Sequence, residues 1–330
     1  MTGTRLDVLA IGDAIVDVIA TADDAFLEEE GLVKGSMQVL DADGATRLYA
    51  KMRQARETSG GSAANTMAGV AAMGGRAGFV GQVADDQLGD IFAHDIRAHG
   101  VEFRTPPLSG GLPTGRCLIL VTPDAQRTMN TFRGAAHELS AQALDPDQIR
   151  AATILYLEAY LWRSKGPRAA MEEAMRIAHE AGRKVAFTLS DIACIAPHRA
   201  EMMAMIDAGA IDLLFANENE ICELADQSGR DAAVAAIQGK VPLLVVTCGA
   251  EGALAVEGGR TVAVPIARIG RGVVDTTGAG DLFAAGFLVG QARGRTLEES
   301  LRIGSVAAAE VISHFGARPD AGLKALVEAL

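Results

Sequence analysis

The sequence predicts an α/β fold built around a mainly parallel β-sheet, and two observations lead to this prediction. From about residue 150 onward, short runs rich in leucine and β-branched residues alternate with longer segments of helical period, which is the pattern of β-α-β units. The length of 330 residues exceeds that of a usual compact domain, but α/β folds often reach such lengths with one large core and an insertion. We therefore expect a single domain covering 1–330 with a small appendage.

The N-terminal half contains a core strand, a helix and a candidate hairpin. The segment "LDVLAIGDAIVD" (6–17) is typical of a core strand that ends near Gly12, and "SGGSAANTMAGVAAMGG" (59–75) runs from a glycine pair into an alanine-rich helix. Within 101–133, "GRCLILVT" and "RTMNTF" flank the turn-forming cluster "PDAQ", which predicts a hairpin. Such pieces favour a small sheet that projects over the ligand crevice as a lid. We expect the lid to come from two insertions, at about 14–58 and 101–135.

The C-terminal half supplies four candidate strands and the helices between them. The strands are "TILYLE" (153–158), "KVAFTLSD" (184–191), "IDLLFANENE" (211–220) and "PLLVVTCG" (242–249), and two intervening helical segments each stop at a glycine. A polar residue follows three of these strands, namely Asp191, Asn217 and Thr247. Because open parallel sheets bind ligands beyond the carboxyl ends of their strands, we expect these three residues to face one crevice.

Composition excludes several classes of protein. The formal net charge of −12 argues against general binding of nucleic acid or anionic membranes, which need clustered lysine and arginine. No segment approaches the roughly 18 to 20 uninterrupted apolar residues of a membrane helix, and no apolar run follows a basic start. We therefore expect a soluble cytoplasmic protein whose ligands are small molecules.

The cysteines and histidines carry no recognisable metal or redox motif. The four cysteines, Cys117, Cys194, Cys222 and Cys248, lie far apart in the sequence, so we expect reduced and mostly buried thiols. The histidines lack metal-ligand spacing, and we expect surface or core roles for all six, at positions 94, 99, 137, 179, 198 and 314.

The segment "DTTGAGD" (275–281) is the most informative stretch of the chain. Gly278 and Gly280 permit backbone conformations that a side chain would forbid, and the apolar run after Asp281 predicts a helix whose first N–H groups lack partners. Such a helix start favours an anion, and glycine amides can approach an oxyanion closely. Asp281 could simply cap the helix, but capping leaves unexplained a second carboxylate, Asp275, and two threonines in the same turn.

This segment resembles the C-terminal signature of the ribokinase or PfkB family of carbohydrate and nucleoside kinases. The segment 60–90, "GGSAANTMAGVAAMGGRAGFVGQVADDQLGD", is similar to the family's N-terminal signature. The overall pattern is most similar to the bacterial adenosine-kinase-like branch, and it implies a ribokinase-like three-layer fold with a β-sheet lid. Further matches follow the family's order over nearly the whole chain: "GDAIVD" (12–17), "NENE" (217–220), "TCGAEG" (247–252) and "FGARP" (315–319).

The resemblance implies roles for the residues of phosphoryl transfer from ATP. Asp281 matches the general base that deprotonates the acceptor hydroxyl, and Gly278, Ala279 and Gly280 match the anion hole. Asn217 matches a residue of the ATP and phosphate site, and Glu220 matches a residue that holds Mg²⁺ through water. The nucleotide-binding turn is matched by Thr247, Gly249 and Gly252. A monovalent-cation (K⁺) site, which not every member uses, is matched by Asp275 and Thr277.

At the acceptor end, the resemblance implies a site for sugar hydroxyl groups. Asp13 and Asp17 match residues that hydrogen-bond ribose hydroxyls, and Gly60, Gly61 and Asn65 match the opposite wall. Carboxylates suit vicinal diols because each oxygen can accept a hydrogen bond. Nucleoside kinases of this family often carry Asn at the position of Asp13, a change that keeps an acceptor and removes a donor.

The acceptor is the least constrained part of the function. An adenine ring needs an apolar, partly aromatic slot, which Phe103, Leu118 and Phe132 of the expected lid could form, although these residues could equally be the lid's own core. We expect phosphorylation of a ribonucleoside, with adenosine as the acceptor. Ribokinase, fructokinase or another sugar kinase is the alternative, and a non-catalytic sugar- or nucleotide-binding protein is a further one.

Other enzyme classes lack their motifs in this chain. No G-x-x-x-x-G-K-[ST] loop is present, the first strand is followed by one glycine where a dinucleotide fold has three, and "GGSAA" lacks the second glycine of a serine hydrolase elbow. Nothing in the sequence decides between a monomer and a homodimer.

Overall fold

Two β-sheets of different size organise the fold. The computed structural model describes residues 6–124, 126–268, 272–320 and 322–330, so Ala125 of the predicted hairpin turn lies outside the described residues. Within them, the strands are β1 (Leu6–Ile11), β2 (Ile15–Thr21), β3 (Met37–Val39), β4 (Ala55–Gly60), β5 (Ala77–Val80), β6 (Glu102–Phe103), β7 (Gly115–Val121), β8 (Arg127–Phe132), β9 (Ala152–Glu158), β10 (Lys184–Thr188), β11 (Leu213–Asn217), β12 (Leu243–Thr247), β13 (Ala253–Glu257) and β14 (Arg260–Val264).

The helices cover both faces of the larger sheet. In the described chain they are α1 (Asp24–Glu29), α2 (Ala42–Lys51), α3 (Ser62–Ala72), α4 (Gln87–Ala98), α5 (Pro146–Ala151), α6 (Lys165–Glu180), α7 (Ile192–Ile195), α8 (Arg199–Asp207), α9 (Glu218–Ala225), α10 (Arg230–Ile237), α11 (Ala279–Ala292), α12 (Leu297–Val311) and α13 (Leu323–Glu328). None of the described helices is both long and apolar enough to cross a lipid bilayer.

The larger sheet has nine strands in the order β14-β13-β12-β11-β10-β9-β1-β5-β6. The seven strands from β12 to β6 are parallel, and β13 and β14 add an antiparallel edge. Alternate residues of β9 enter different cores: Tyr156 packs with α3 and α11, and Leu157 packs with α6. Burial on both faces explains why these strands read as continuous apolar runs, and it confirms the predicted three-layer α/β architecture.

The smaller sheet has five strands in the order β3-β8-β7-β2-β4. The predicted hairpin is confirmed, because β7 and β8 pair antiparallel. Asp17 lies opposite Thr58 and Cys117, so these residues share one face of the sheet. The neighbouring positions Val18 and Leu118 point to the other face, where they join the core formed with α1 and α2.

The predicted aromatic slot of the lid is wrong. Phe103 belongs to β6 of the larger sheet, where its ring packs against Phe79 and Phe92. Phe132 and Leu118 lie on the face opposite to Asp17, and the ring of Phe132 is 5.9 Å from the guanidinium of Arg116. Side chains alternate between the two faces of a strand, so Leu118 and Phe132 point to the face of the smaller sheet that is opposite to Asp17.

Candidate active site

The segment 275–281 forms a tight turn that leads into α11. Gly278 adopts a left-handed conformation (φ 79°), and a Cβ atom there would lie 2.7 Å from the Cβ of Ala317. The N–H of Ala279 is bonded to the carbonyl of Thr276 at 3.2 Å, whereas the first turn of a helix leaves the next N–H groups without intrahelical acceptors. Apart from its chain neighbours and its own helix backbone, no described residue has an atom within 4 Å of the position a Cβ would take on Gly280. The turn therefore presents backbone N–H groups to open space, which suits an anion.

Asp281 is held at this helix start by two side chains of α3. Its Oδ1 accepts a hydrogen bond from Ser62 Oγ at 2.6 Å, and its Oδ2 accepts one from Asn65 Nδ2 at 3.0 Å. Burial raises the pKa of Asp281, while these two hydrogen bonds and the charge of Arg318 oppose the rise. A carboxylate that is oriented on both oxygens and has a raised pKa is suited to accept a proton from a neighbouring hydroxyl.

The predicted acceptor-site residues come together where β1, β2 and β4 meet the start of α3. We call them the acceptor wall: Asp13, Asp17, Gly60, Gly61 and Asn65. A Cβ atom on Gly60 would lie 2.4 Å from the Cγ of Asp17, so the carboxylate rests directly on the backbone of β4. Gly61 has a φ of 95°, and a Cβ there would lie 2.2 Å from the carbonyl oxygen of Asp13. Only glycine permits both approaches, and Asn65 follows one turn into the helix.

Asp13 has an unsatisfied carboxylate oxygen. Its buried Oδ1 has no hydrogen-bond partner among the described residues, and it lies 3.5 Å from Nε2 of His137, which is likewise buried and unpartnered. The other nitrogen of His137 lies 2.6 Å from Ser164 Oγ. Because unpaired buried polar atoms cost free energy, this pair fits the hydroxyl groups of a bound polyol.

A buried glutamate, Glu158, holds the backbone on both sides of the acceptor site. Glu158, at the end of β9, is 0 % exposed and accepts the N–H of Asp13 at 2.6 Å and the N–H of Ala63 at 2.7 Å. Burial and the charge of Asp13 raise the pKa of Glu158, and the two N–H groups favour its charged form. Glu158 therefore joins the end of β1 to the start of α3.

Arg318 places a positive charge beside these carboxylates. Its Nη2 donates to the carbonyl and the hydroxyl of Ser59 at 2.6 and 2.8 Å, and its Nη1 donates to the carbonyl of Ala64 at 2.8 Å. Burial raises the pKa of Asp17 to about 6, although the charges of Arg318 and Arg127 oppose the rise. Arg318 thus balances part of the negative charge that the acceptor wall concentrates.

Asn217 and Glu220 form a capping box at the start of α9. The two oxygens of Glu220 accept the backbone N–H and the side-chain amide of Asn217 at 2.9 and 2.7 Å, and burial raises the pKa of Glu220 to about 7. Both residues line a cavity of about 210 Å³ that also contains Thr247 and Asp281. With its oxygens engaged by Asn217, Glu220 fits a role toward Mg²⁺ through water and not as a direct ligand.

The predicted nucleotide turn follows β12, next to Asn217. Thr247 pairs with Asn217 across neighbouring strands. Gly249 and Gly252 have φ values of 51° and 98°, and a Cβ on Gly252 would lie 2.1 Å from the carbonyl oxygen of Val264. The backbone therefore requires glycine at Gly252 even without a ligand.

Asp275 and Thr277 are connected to the smaller sheet. The carboxylate of Asp275 accepts from the N–H and hydroxyl of Thr277 at 3.0 and 2.6 Å, from the N–H of Gly316 at 3.0 Å, and from the guanidinium of Arg127 on β8. Burial acts to raise the pKa of Asp275, but these hydrogen bonds outweigh it and hold the pKa below its usual range. Protein donors already satisfy this carboxylate, so K⁺ binding here stays a prediction from resemblance.

Two differences from the sequence-based expectations are informative. Asp191 does not line the cavity, because its side chain accepts the N–H of Ala193 and caps α7, while its neighbour Ser190 lines the cavity instead. The sequence assigned no role to four residues that contact the site, Ser62, Arg127, Glu158 and Arg318, and the expected surface or core role of His137 omits its position 3.5 Å from Asp13. Ser62 and Arg318 lie inside the quoted motifs "GGSAAN" and "FGARP" and could have been found there.

A glycine turn at a helix start, beside an oriented carboxylate, suits the transfer of a phosphoryl group. Residues 5–322 match the model of the pfkB family carbohydrate kinases, and the chain belongs to this family. The protein is therefore an ATP-dependent kinase of a small sugar or nucleoside.

Proteins similar to this chain are named as kinases of different acceptors. Two solved structures are similar over the whole chain: adenosine kinase from Sinorhizobium meliloti (47 % identity, TM-score 0.90, 98 % of this chain and 99 % of that chain) and a probable sugar kinase from Rhizobium etli (43 %, TM-score 0.91, 99 % and 98 %). A 5-dehydro-2-deoxygluconokinase from Shouchella clausii is 29 % identical over 99 % of this chain and 97 % of its own.

At pH 4, below the ordinary pKa of a glutamate, the charge effect that raises the pKa of Glu158 is absent, and Glu158→Gln is expected to destabilise the fold and disturb the acceptor wall. The amide NH₂ would face one of two N–H donors, and the loss of one buried acceptor costs about 1–3 kcal/mol. Urea unfolding measures this cost. The exposed Glu29→Gln is the matched control and should change the free energy of unfolding little. Equal effects of the two substitutions would contradict the role assigned to Glu158.

Asp17→Asn is expected to stabilise the fold at pH 8 but not at pH 4. The folded-state pKa of about 6 exceeds the ordinary value of 3.8, so the native state binds more protons between these values and its stability falls as the pH rises. Asn mimics the protonated acid, so the gain at pH 8 is on the order of 2–3 kcal/mol. Urea unfolding at both pH values measures it, and the exposed Asp43→Asn is the control. A gain that is the same at both pH values would contradict the assignment.

Proposed function

We propose that this kinase transfers the γ-phosphoryl group of ATP to the 5′-hydroxyl of a ribonucleoside, with adenosine as the acceptor. The observation that carries the phosphotransfer is the carboxylate of Asp281, oriented by Ser62 and Asn65 beside the Gly278 turn. The choice of adenosine is supported by the 47 % identity to the adenosine kinase of Sinorhizobium meliloti over nearly the whole chain.

Asp281 acts as the general base. Its oxygens lie between the first turn of α3 and the start of α11, and the cavity beside it also contains Gly280. The carboxylate takes the proton of the acceptor hydroxyl as the hydroxyl oxygen attacks the γ-phosphorus, and the bond from that phosphorus to the β–γ bridging oxygen breaks to release ADP. The raised pKa of Asp281 makes its carboxylate a stronger base than an ordinary aspartate.

The backbone of the 278–280 turn faces the transferring group. The N-terminus of α11 and those N–H groups of the turn that have no protein acceptor stabilise negative charge on the phosphoryl oxygens, whereas the N–H of Ala279 is bonded to Thr276. Asn217 and Thr247 line the cavity on the donor side, and Gly249 and Gly252 belong to the turn that follows Thr247. When Mg²⁺ is bound with ATP it would neutralise phosphate charge, and Glu220 would hold it through water.

The acceptor wall holds the sugar, and the smaller sheet covers it. Asp13 and Asp17 accept hydrogen bonds from the ribose hydroxyls, against the backbone of Gly60 and Gly61. The smaller sheet acts as the lid of a single domain, and the Arg127–Asp275 ion pair ties this lid to the turn before α11. Covering the site excludes water, which would otherwise compete with the acceptor for the phosphoryl group.

A free-sugar acceptor is the second candidate. The positions that share a sheet face with Asp17 include Ile19, Ile119 and Met129, which are aliphatic and offer no aromatic ring for stacking. The carboxylates of the acceptor wall suit a polyol equally well, and the names of the similar proteins divide between nucleoside and sugar kinases.

Asp281→Asn is expected to abolish turnover while ATP binding persists. Removal of a general base typically costs about 10²- to 10⁴-fold in rate. Steady-state kinetics measures kcat, and isothermal titration measures ATP affinity, which should stay close to that of the unmodified protein. The exposed Asp43→Asn on α2 is the control and should keep full activity. Unchanged turnover in the Asp281 variant would refute the base assignment, and absence of any turnover in the unmodified protein would favour a non-catalytic binding protein.

An acceptor panel tests the choice of adenosine. Adenosine, guanosine, inosine, ribose, fructose and 5-dehydro-2-deoxygluconate are each assayed with ATP and Mg²⁺, with and without K⁺. We expect the highest kcat/KM for adenosine. Strong turnover of a free sugar and none of any nucleoside would refute the nucleoside proposal and leave the phosphotransfer mechanism intact.

A further inference from the structure

Three potential metal ligands lie close together at the C-terminal end of α12 and in the loop that follows it. Among the described residues, one ligand atom each of Glu310, His314 and Asp320 lies within 4.8 Å of the others. Glu310 belongs to the last turn of α12 and is 6 % exposed, His314 follows one turn later, and Asp320 is exposed. None of the three has a role in the phosphotransfer chemistry above.

The hydrogen bonds of this cluster leave one buried oxygen unsatisfied. Glu310 Oε1 accepts the backbone N–H of Asp320 at 3.0 Å and lies 3.1 Å from Nε2 of His314. Glu310 Oε2 is buried and has no hydrogen-bond partner in the described chain. No lysine or arginine of the described residues forms an ion pair with either carboxylate. The cluster therefore places two carboxylates together with no lysine or arginine partner in the described part of the chain, and burial makes the unpaired oxygen of Glu310 costly.

The ring of His314 is oriented as a metal-binding imidazole usually is. Its Nδ1 lies 3.4 Å from the carbonyl oxygen of Phe315, which can accept a proton carried on Nδ1 when Nε2 binds a metal. Without a metal, Nε2 can instead donate to Glu310 Oε1 at 3.1 Å, so a bound ion takes the place of that proton. Metal-bound histidines commonly donate their second N–H to a carbonyl in this way. Two ligands about 2.0–2.1 Å from a tetrahedral Zn²⁺ are about 3.3 Å apart, close to the 3.1 Å that separates Nε2 from Oε1.

We propose that Glu310, His314 and Asp320 bind a first-row divalent metal ion, with Zn²⁺ as the best fit and water completing the coordination. One imidazole with two carboxylates suits Zn²⁺, whereas Mg²⁺ favours oxygen ligands alone. The ion balances the negative charge of both carboxylates and gives the buried carboxylate of Glu310 a positively charged partner. The exposed carboxylate of Asp320 can turn to complete the set without moving the core.

The metal joins the end of α12 to a loop that reaches the active site. The loop between His314 and Asp320 includes Gly316, whose N–H donates to Asp275, and Arg318, which is bonded to Ser59 and Ala64. Binding at the cluster therefore stabilises the segment that braces the acceptor wall. The site does not depend on which acceptor the kinase phosphorylates.

Zinc titration of the full-length, metal-stripped protein tests the proposal in the absence of nucleotide. Isothermal titration should show a Zn²⁺ site that excess Mg²⁺ does not displace, and His314→Ala should weaken its affinity at least tenfold. Asp320→Asn, at an exposed position, should weaken the same site and leave the fold intact. Zn²⁺ should also raise the Tm of the unmodified protein but not that of His314→Ala.

His179→Ala is the matched control. His179 Nε2 lies 3.0 Å from Asp212 in a surface pair for which the described residues supply no third ligand, so its loss should leave zinc affinity unchanged. Circular dichroism verifies that each variant is folded. The proposal is overturned if the unmodified protein binds no Zn²⁺, or if folded His314→Ala and Asp320→Asn bind it as tightly as the control.

Discussion

The acceptor side of the active site depends on the buried carboxylate of Glu158. It sits at the end of a central strand and accepts the N–H groups of Asp13 and Ala63, which are 145 and 95 residues away in the chain. Each of these groups is buried, so water cannot replace the lost bond if the carboxylate moves. The end of β1 and the start of α3 are therefore held at one distance from each other.

The catalytic arrangement follows from this contact. With α3 held against Asp13, its first turn presents Ser62 and Asn65 to Asp281, which comes from a helix more than 200 residues further along the chain. Gly60 and Gly61 make the approach possible, because any side chain there would collide with Asp17 or with the backbone of Asp13. The motif at 60–65 and the motif at 275–281 are distant in sequence, but they form one site. This site contains the carboxylates of Asp13, Asp17 and Asp281.

The concentration of carboxylates has an electrostatic cost that the fold offsets only in part. Burial raises the pKa values of Asp17, Glu158 and Asp281, and Arg318 opposes the rise at Asp17 and Asp281. Perturbed carboxylates of this kind cluster at functional sites, where stability is exchanged for chemistry. The arginine reaches the site from the C-terminal loop, so the acceptor wall also depends on the segment that follows α12.

The sequence alone determined the α/β architecture, the order of the C-terminal core strands along the chain and the glycine turn before α11, because apolar periodicity and glycine conformation are local properties. The predicted segments 184–191 and 211–220 extend beyond the observed strand ends at Thr188 and Asn217. The sequence also placed Asp13, Asp17, Gly60, Gly61 and Asn65 in one wall by resemblance. Only the tertiary structure decided which way side chains point and which distant groups meet. Phe132 is aromatic, as expected of a residue that lines an adenine slot, but it lies on the strand face opposite to Asp17. Asp191 caps a helix. Arg127 contacts Asp275, which is 148 residues away in the chain. Such outcomes depend on sheet register and long-range packing, which no local pattern encodes.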